Sequence, residues 1–104
     1  MGTRFFQRVI FRKDIEASAH DGVFSGILEN ISLGGMFIRT DKCLSIGDQI
    51  EIDFPIKNGI ADTKLSAKLT AVRKENHGIA FKFKDLDPKN FWTLQSFINS
   101  EIYS

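Results

Sequence analysis

Leu65, Ala67, Leu69 and Ala71 alternate with Lys64, Ser66, Lys68 and Thr70, and this two-residue period returns along most of the chain. Side chains of an extended strand point to opposite faces in turn, so such a segment buries one face and wets the other. A helix would scatter the same residues around its circumference. Val9, Phe11, Ile15, Ala17 and Ala19 keep the period against Ile10, Arg12, Asp14, Glu16 and Ser18, and Ile50, Ile52 and Phe54 keep it against Glu51 and Asp53. Turn signals separate these segments. Asp21-Gly22 is a favoured two-residue hairpin turn that sends Val23 to Leu33 back antiparallel. Gly34-Gly35 interrupts that return before Met36-Phe37-Ile38, Asn58-Gly59 falls between two strands, and Asn76-His77-Gly78 precedes a last strand, Ile79 to Phe83. The spacing predicts a mainly β fold, a six-stranded antiparallel barrel over residues 9–84.

At Asp87-Pro88 the period changes. Asp87 suits a helix N-cap and Pro88 a first helical position, after which Phe91, Leu94, Ile98 and Ile102 repeat at helical spacing. This predicts a C-terminal α-helix over 88–103, with Trp92 and Phe97 widening its apolar stripe. Most of the ten phenylalanines and the tryptophan are expected in the core. A chain of 104 residues with 42% hydrophobic content is the size of a single domain, 1–104, with one core.

Charge narrows the partners. A formal net charge of +1 argues against a general nucleic-acid binder, yet Arg4, Arg8, Arg12 and Lys13 all precede the first acidic residue, Asp14. One cysteine, Cys43, cannot make an internal disulfide and reads as a small core or loop residue. With no signal-peptide pattern and no apolar run of membrane-spanning length, a cytoplasmic protein without membrane insertion is expected.

Two clusters carry the chemistry. Arg4 and Arg8 stand four residues apart, and Asn30-Ile-Ser32-Leu-Gly-Gly35 follows some twenty positions later. A guanidinium presents five donors in a fixed plane, pairs bidentately with phosphate or with the O6/N7 edge of guanine, and stacks on a base. In an extended arm two such forks lie about 13 Å apart on one side, wide enough to flank a dinucleotide, and in a helical turn they converge to about 6 Å; either geometry sets both on one ligand. Asn30 offers an amide that donates and accepts, and Ser32 offers a hydroxyl, for a ligand or for the backbone groups of the corner they stand in. Gly34 is read as a turn residue with positive φ, and Gly35 as a turn residue that also lets a ligand reach the main chain. Together they form a candidate guanine-nucleotide clamp. Phe5, between the two arginines, either packs on a base or anchors the arm, as does its neighbour Phe6.

Arg4-Phe-Phe-Gln-Arg8 with Asn30-Ile-Ser32-Leu-Gly-Gly35 resembles the paired Arg-x-x-x-Arg and (Asp/Asn)-x-Ser-x-x-Gly signature of PilZ domains, and the similarity covers nearly the whole chain. The resemblance implies a small bacterial β-barrel that binds the second messenger cyclic di-GMP. Its ligand residues would be Arg4, Arg8, Asn30, Ser32 and Gly35, with Thr3, Phe5 and Gly34 as secondary contacts. It further implies an N-terminal arm, residues 1–8, that orders on binding and signals to a separate downstream protein. No cofactor beyond this ligand is implied.

Other classes fit less well. There is no Ser/His/Asp or Cys/His set on recognisable turns, no Walker-type phosphate loop and no carboxylate pair in an obvious cleft, so no catalytic residue is assigned. His20 and His77 lack metal-ligand spacing and read as turn residues, while Asp85 and Asp87 lack a third ligand. A barrel that binds single-stranded nucleic acid would use strand aromatics. His77-Gly-Ile-Ala-Phe-Lys-Phe83 approximates an RNA-recognition motif, but Ile79 replaces a stacking aromatic, Lys82 stands where valine is expected and Phe83 comes one place early. No DNA or RNA partner is therefore expected. The remaining alternative is a PilZ fold acting as a protein adaptor without nucleotide, a role that in this family goes with loss of the arginines.

Overall fold

The computed structural model describes residues 9–58 and 61–103. Six strands and one helix follow in order: β1 (Val9–Ala19), β2 (Gly22–Ile31), β3 (Gly35–Arg39), β4 (Gln49–Asn58), β5 (Ala61–Glu75), β6 (Gly78–Lys84) and α1 (Pro88–Tyr103). All neighbours are antiparallel, in the closed order β1-β2-β3-β6-β5-β4, with β4 returning to β1 through Ala17↔Ile52 and Ser18↔Glu51. Closure leaves β3 beside β6 rather than β4, so the chain crosses an end of the barrel between Thr40 and Asp48. Leu44 fills that end and is 2% exposed.

The alternation does what its period requires. Ile15, Ala17, Ile50, Ile52, Leu65, Ala67, Leu69, Ala71, Ile79 and Phe81 all turn inward and are buried. Each isoleucine or leucine removed from water in this way contributes about 1.5–3 kcal/mol. From α1, Leu94, Phe97 and Ile98 join the same core. Trp92 does not: it is 65% exposed, because at 3.6 residues per turn it lies about 160° around the helix from Leu94. Phe91, in the first turn, reaches only the edge of the packed surface and stays 37% exposed. The helix thus has a narrower apolar stripe than its sequence suggests. Ile102 belongs to α1, its side chain lying outside the described ones.

The β1–β2 connection is displaced by one position from Asp21-Gly22. His20 and Asp21 make the turn, Ala19 pairs with Gly22, and Gly22 takes φ +129°. Glycine's freedom is needed on the first residue after the turn rather than inside it. Asp21 is tied to the segment after β3 by the Lys42 ammonium, which donates to Oδ2 at 2.7 Å. That hydrogen bond holds the Asp21 carboxyl below the usual carboxylate range. The turn at 76–77 and the exposed loop position of Cys43 agree with the sequence reading.

Asp87 caps α1. Its Oδ1 accepts from the Asn90 N–H at 2.8 Å and from the Asn90 side-chain amide at 3.0 Å, while Asn90 Oδ1 accepts from the Ser66 N–H of β5 at 3.0 Å. One carboxylate therefore orients the residue that fastens the helix to the barrel. Asp87→Ala is expected to lower unfolding free energy by about 1 kcal/mol, the ordinary cost of losing an N-cap, measured by urea denaturation.

Candidate functional site

Asn30, Ser32, Gly34 and Gly35 gather where β2 ends and β3 begins, and the chain enters the barrel at the same place. Val9 pairs with Ile31 and Ile10 with Asn30. Arg4 and Arg8, with Thr3, Phe5 and Phe6, lie outside the described residues. The described chain nevertheless begins beside the turn that the second cluster forms.

A bulge aims Asn30. Leu28 and Ile31 are both fully buried although they stand three residues apart, which a regular two-residue period forbids. The register slips between Leu28 and Asn30 on the β3 side and between Ile10 and Lys13 on the β1 side. Against β3 the extra residue, Glu29, lies in β2, which returns Ile31 to the core and leaves Asn30 on the outer face, half-buried; against β1 the extra residue lies in β1. Its cross-strand neighbours are Ile10, 82% exposed, and Phe37. These three form one row across β1, β2 and β3, an amide between two apolar side chains.

The turn is more self-contained than the sequence suggests. Ser32 is buried at 6% exposure, and its Oγ accepts from the Gly34 N–H at 3.1 Å. The Ser32 N–H donates to the Gly35 carbonyl at 2.8 Å, and the Gly34 carbonyl accepts from the Phe83 N–H at 3.0 Å. The amides of Ser32 and Gly34 are therefore spent on the fold. Leu33 retains an N–H with no partner among the described residues. Neither Gly34 nor Gly35 has positive φ. Gly35 is required for a different reason: a Cβ there would collide with the Phe81 carbonyl oxygen and come within 3.0 Å of the Lys82 Cα. The close approach it permits is that of β6.

β6 brings a group that the sequence reading passed over. Lys82 pairs with Gly35 and is exposed, without an ion pair among the described residues. It stands beside the turn as a cation on the outer face. Ile10 and Lys82 both carried a signal: one is an apolar residue at a water-facing position of β1, the other a charge between Phe81 and Phe83 in the final strand. Among the described residues no group of three or more His, Cys, Asp or Glu side chains could hold a metal ion, and no helix is long and apolar enough to cross a membrane.

Known proteins agree with this architecture. The chain superposes on the PilZ domain of CeSA from a cellulose-synthesizing bacterium with a TM-score of 0.68 at 18% identity, covering 93% of this chain and 96% of that one. It also superposes on the Bacillus subtilis inhibitor of motility (MotI/DgrA) with a TM-score of 0.80 at 12% identity, over 100% of this chain but 54% of that one. At these identities the likeness is one of fold. No curated protein matches the sequence. The family model for the PilZ domain, however, matches residues 3–100, a span that takes in both arginines, the turn, the barrel and most of α1. The chain belongs to the PilZ domain family.

Proposed function

We propose that this protein is a receptor for cyclic di-GMP, bound at a site built from Arg4, Arg8, Asn30, Ser32 and Gly35 and flanked by Thr3, Phe5 and Gly34. PilZ domains are receptor and adaptor domains, and the observation that favours the receptor role here is the Val9↔Ile31 pairing. It makes Arg8 the residue that immediately precedes the strand pairing next to Ser32. In this reading the guanidinium forks supply planar, charge-assisted contacts to phosphates and guanine edges. Asn30 and the Leu33 N–H supply polar contacts from the barrel, and Ile10 and Phe37 supply apolar surface for a base. Ser32 acts mainly by shaping the turn. Gly35 contributes by seating β3 against β6. No residue is assigned a catalytic step, and the output is a contact with a separate protein in the cytoplasm.

Titration calorimetry is expected to show cyclic di-GMP binding well above GTP, GMP or cyclic di-AMP. Adenine carries a donor where the arginine fork needs the O6 acceptor of guanine. Equal affinity for the adenine analogue would remove the guanine clamp, and absence of any nucleotide binding would leave the adaptor role. If binding orders the arm, amides of residues 2–8 exchange more slowly with ligand while those of Leu65 to Val72 hardly change.

A further inference from the structure

β2 outruns its neighbour on one side. Its pairing with β3 runs from Ile31↔Met36 to Ile27↔Arg39 and stops, whereas its pairing with β1 continues to Gly22. Beyond Ile27 the Thr40 hydroxyl takes over, donating to the Ser25 carbonyl at 3.1 Å. The N–H and C=O of one strand residue point to the same side, and residues two apart repeat the direction. Val23 and Ser25 therefore turn their main-chain groups away from β1, toward a side on which, among the described residues, no strand lies and the segment after β3 is held only through the side chains of Thr40 and Lys42. Among the described residues the Thr40 hydroxyl is the only group hydrogen-bonded to that edge.

Next to the edge is a groove of ≈ 620 Å³ whose walls include Asp14, Glu16, Ile27, Thr40 and Asp41. Val23 and Ile27, on the outer face of β2, are 66% and 37% exposed. Asp14, Glu16 and Asp41 form no ion pair among the described residues, while Arg39, which also lines the groove, is engaged by Glu29 at 2.7 Å and the neighbouring Lys42 by Asp21 at 2.7 Å. An unpaired edge invites another strand, and the carboxylates beside it select the charge of that strand.

We infer that the Gly22–Gly26 edge of β2 receives an extended segment of a partner protein rich in lysine or arginine, by β-strand addition. Main-chain bonds form at Val23 and Ser25, apolar side chains of the segment meet Val23 and Ile27, and its cations face Asp14, Glu16 and Asp41. A second copy of this chain suits the edge poorly, because two-fold pairing would bring the same carboxylates together. A nucleotide or nucleic acid would meet like charge. The edge lies about 20 Å along β2 from Ile31, so this inference does not rest on the nucleotide reading.

The test is a titration of the ¹⁵N-labelled protein with an extended peptide of repeating Val-Thr-Lys-Thr, which puts its valines and lysines on one face, followed by amide shifts and hydrogen exchange. The Val23 and Ser25 amides are expected to shift and to exchange more slowly, and the Leu33 and Gly34 amides to stay unchanged. The same peptide N-methylated throughout, and its valine–glutamate counterpart, should each bind at least about tenfold more weakly. Asp14→Lys combined with Glu16→Lys, both at exposed positions, should weaken the lysine peptide to a similar extent. Equal binding of the N-methylated peptide would reduce the groove to a charged patch and overturn strand addition. Shifts confined to other strands, or none at millimolar peptide, would overturn the site. Concentration-dependent dimerisation through the same amides would give the edge to a second copy, against the inference.

Discussion

Arg8→Ala is expected to abolish measurable cyclic di-GMP binding and to leave the barrel folded. Arg8 directly precedes Val9, the residue paired with Ile31, so of the two arginines it stands nearer in sequence to the β2–β3 turn. A side chain attached close to an ordered strand gives up less freedom on engaging a ligand than one further out, and more of its contact energy appears as affinity. Removing one partner from a desolvated, hydrogen-bonded charge pair costs about 2–5 kcal/mol, a factor of roughly thirty to several thousand in Kd. Arg8→Lys should recover little of this, since an ammonium keeps the charge and loses the planar fork. Calorimetry measures the loss, and circular dichroism with a thermal scan establishes that the variant is folded. Parent-like binding by Arg8→Lys would make the site a diffuse electrostatic patch. Unfolding of Arg8→Ala would make the arginine structural.

The barrel was legible because its signal is local and repeated. In β4 and β5 the alternation decides which face is buried, and it extends over enough residues that chance apolar neighbours do not obscure it. The helix was legible because three independent cues coincide at Asp87-Pro88: a cap, a tolerated proline and a change of period. Trp92 was misassigned because over little more than four turns an added large apolar residue looks like a wider stripe. Only the position of the helix on the barrel decides which arc is covered. The order β3-β6 was not legible either, because alternation says which way a side chain points and nothing about which strand lies alongside.

At the turn the same distinction separates what was read correctly from what was not. Residue types identified the cluster, and the pairings of Val9 and Ile10 place the entering chain beside it. The bulge that sets Asn30 on the outer face depends on partners in two other strands, so no inspection of β2 alone reveals it. In sequence the Ser32 hydroxyl suits a phosphate or a backbone group alike, and in the fold it is buried and accepts from the Gly34 N–H two residues on. Lys82 is 47 positions from Gly35 in the chain and its direct partner in the sheet.

That pairing carries the second large expectation, Gly35→Ala. The added methyl would point at the main chain of β6, where the Phe81 carbonyl and the Lys82 Cα leave it no room. A flexible side chain could move aside; a strand hydrogen-bonded on both edges cannot without disturbing β5. Forcing an extra carbon into such a site costs about 3 kcal/mol, the upper part of the usual range for overpacking, and for a chain of this size lowers Tm by on the order of 10–20 °C. The folded fraction should still bind cyclic di-GMP with near-parental affinity, because the collision lies between strands rather than toward the ligand. Adding ligand at about 100 times Kd should then restore roughly 2.7 kcal/mol to parent and variant alike. A variant that keeps the parental Tm and loses binding would reverse the assignment, making Gly35 a place where the ligand touches the main chain. A variant that loses stability and still responds to ligand separates the two halves of the signature by role: the arginines grip, and the final glycine holds β3 against β6 so that the turn has a shape to be gripped from.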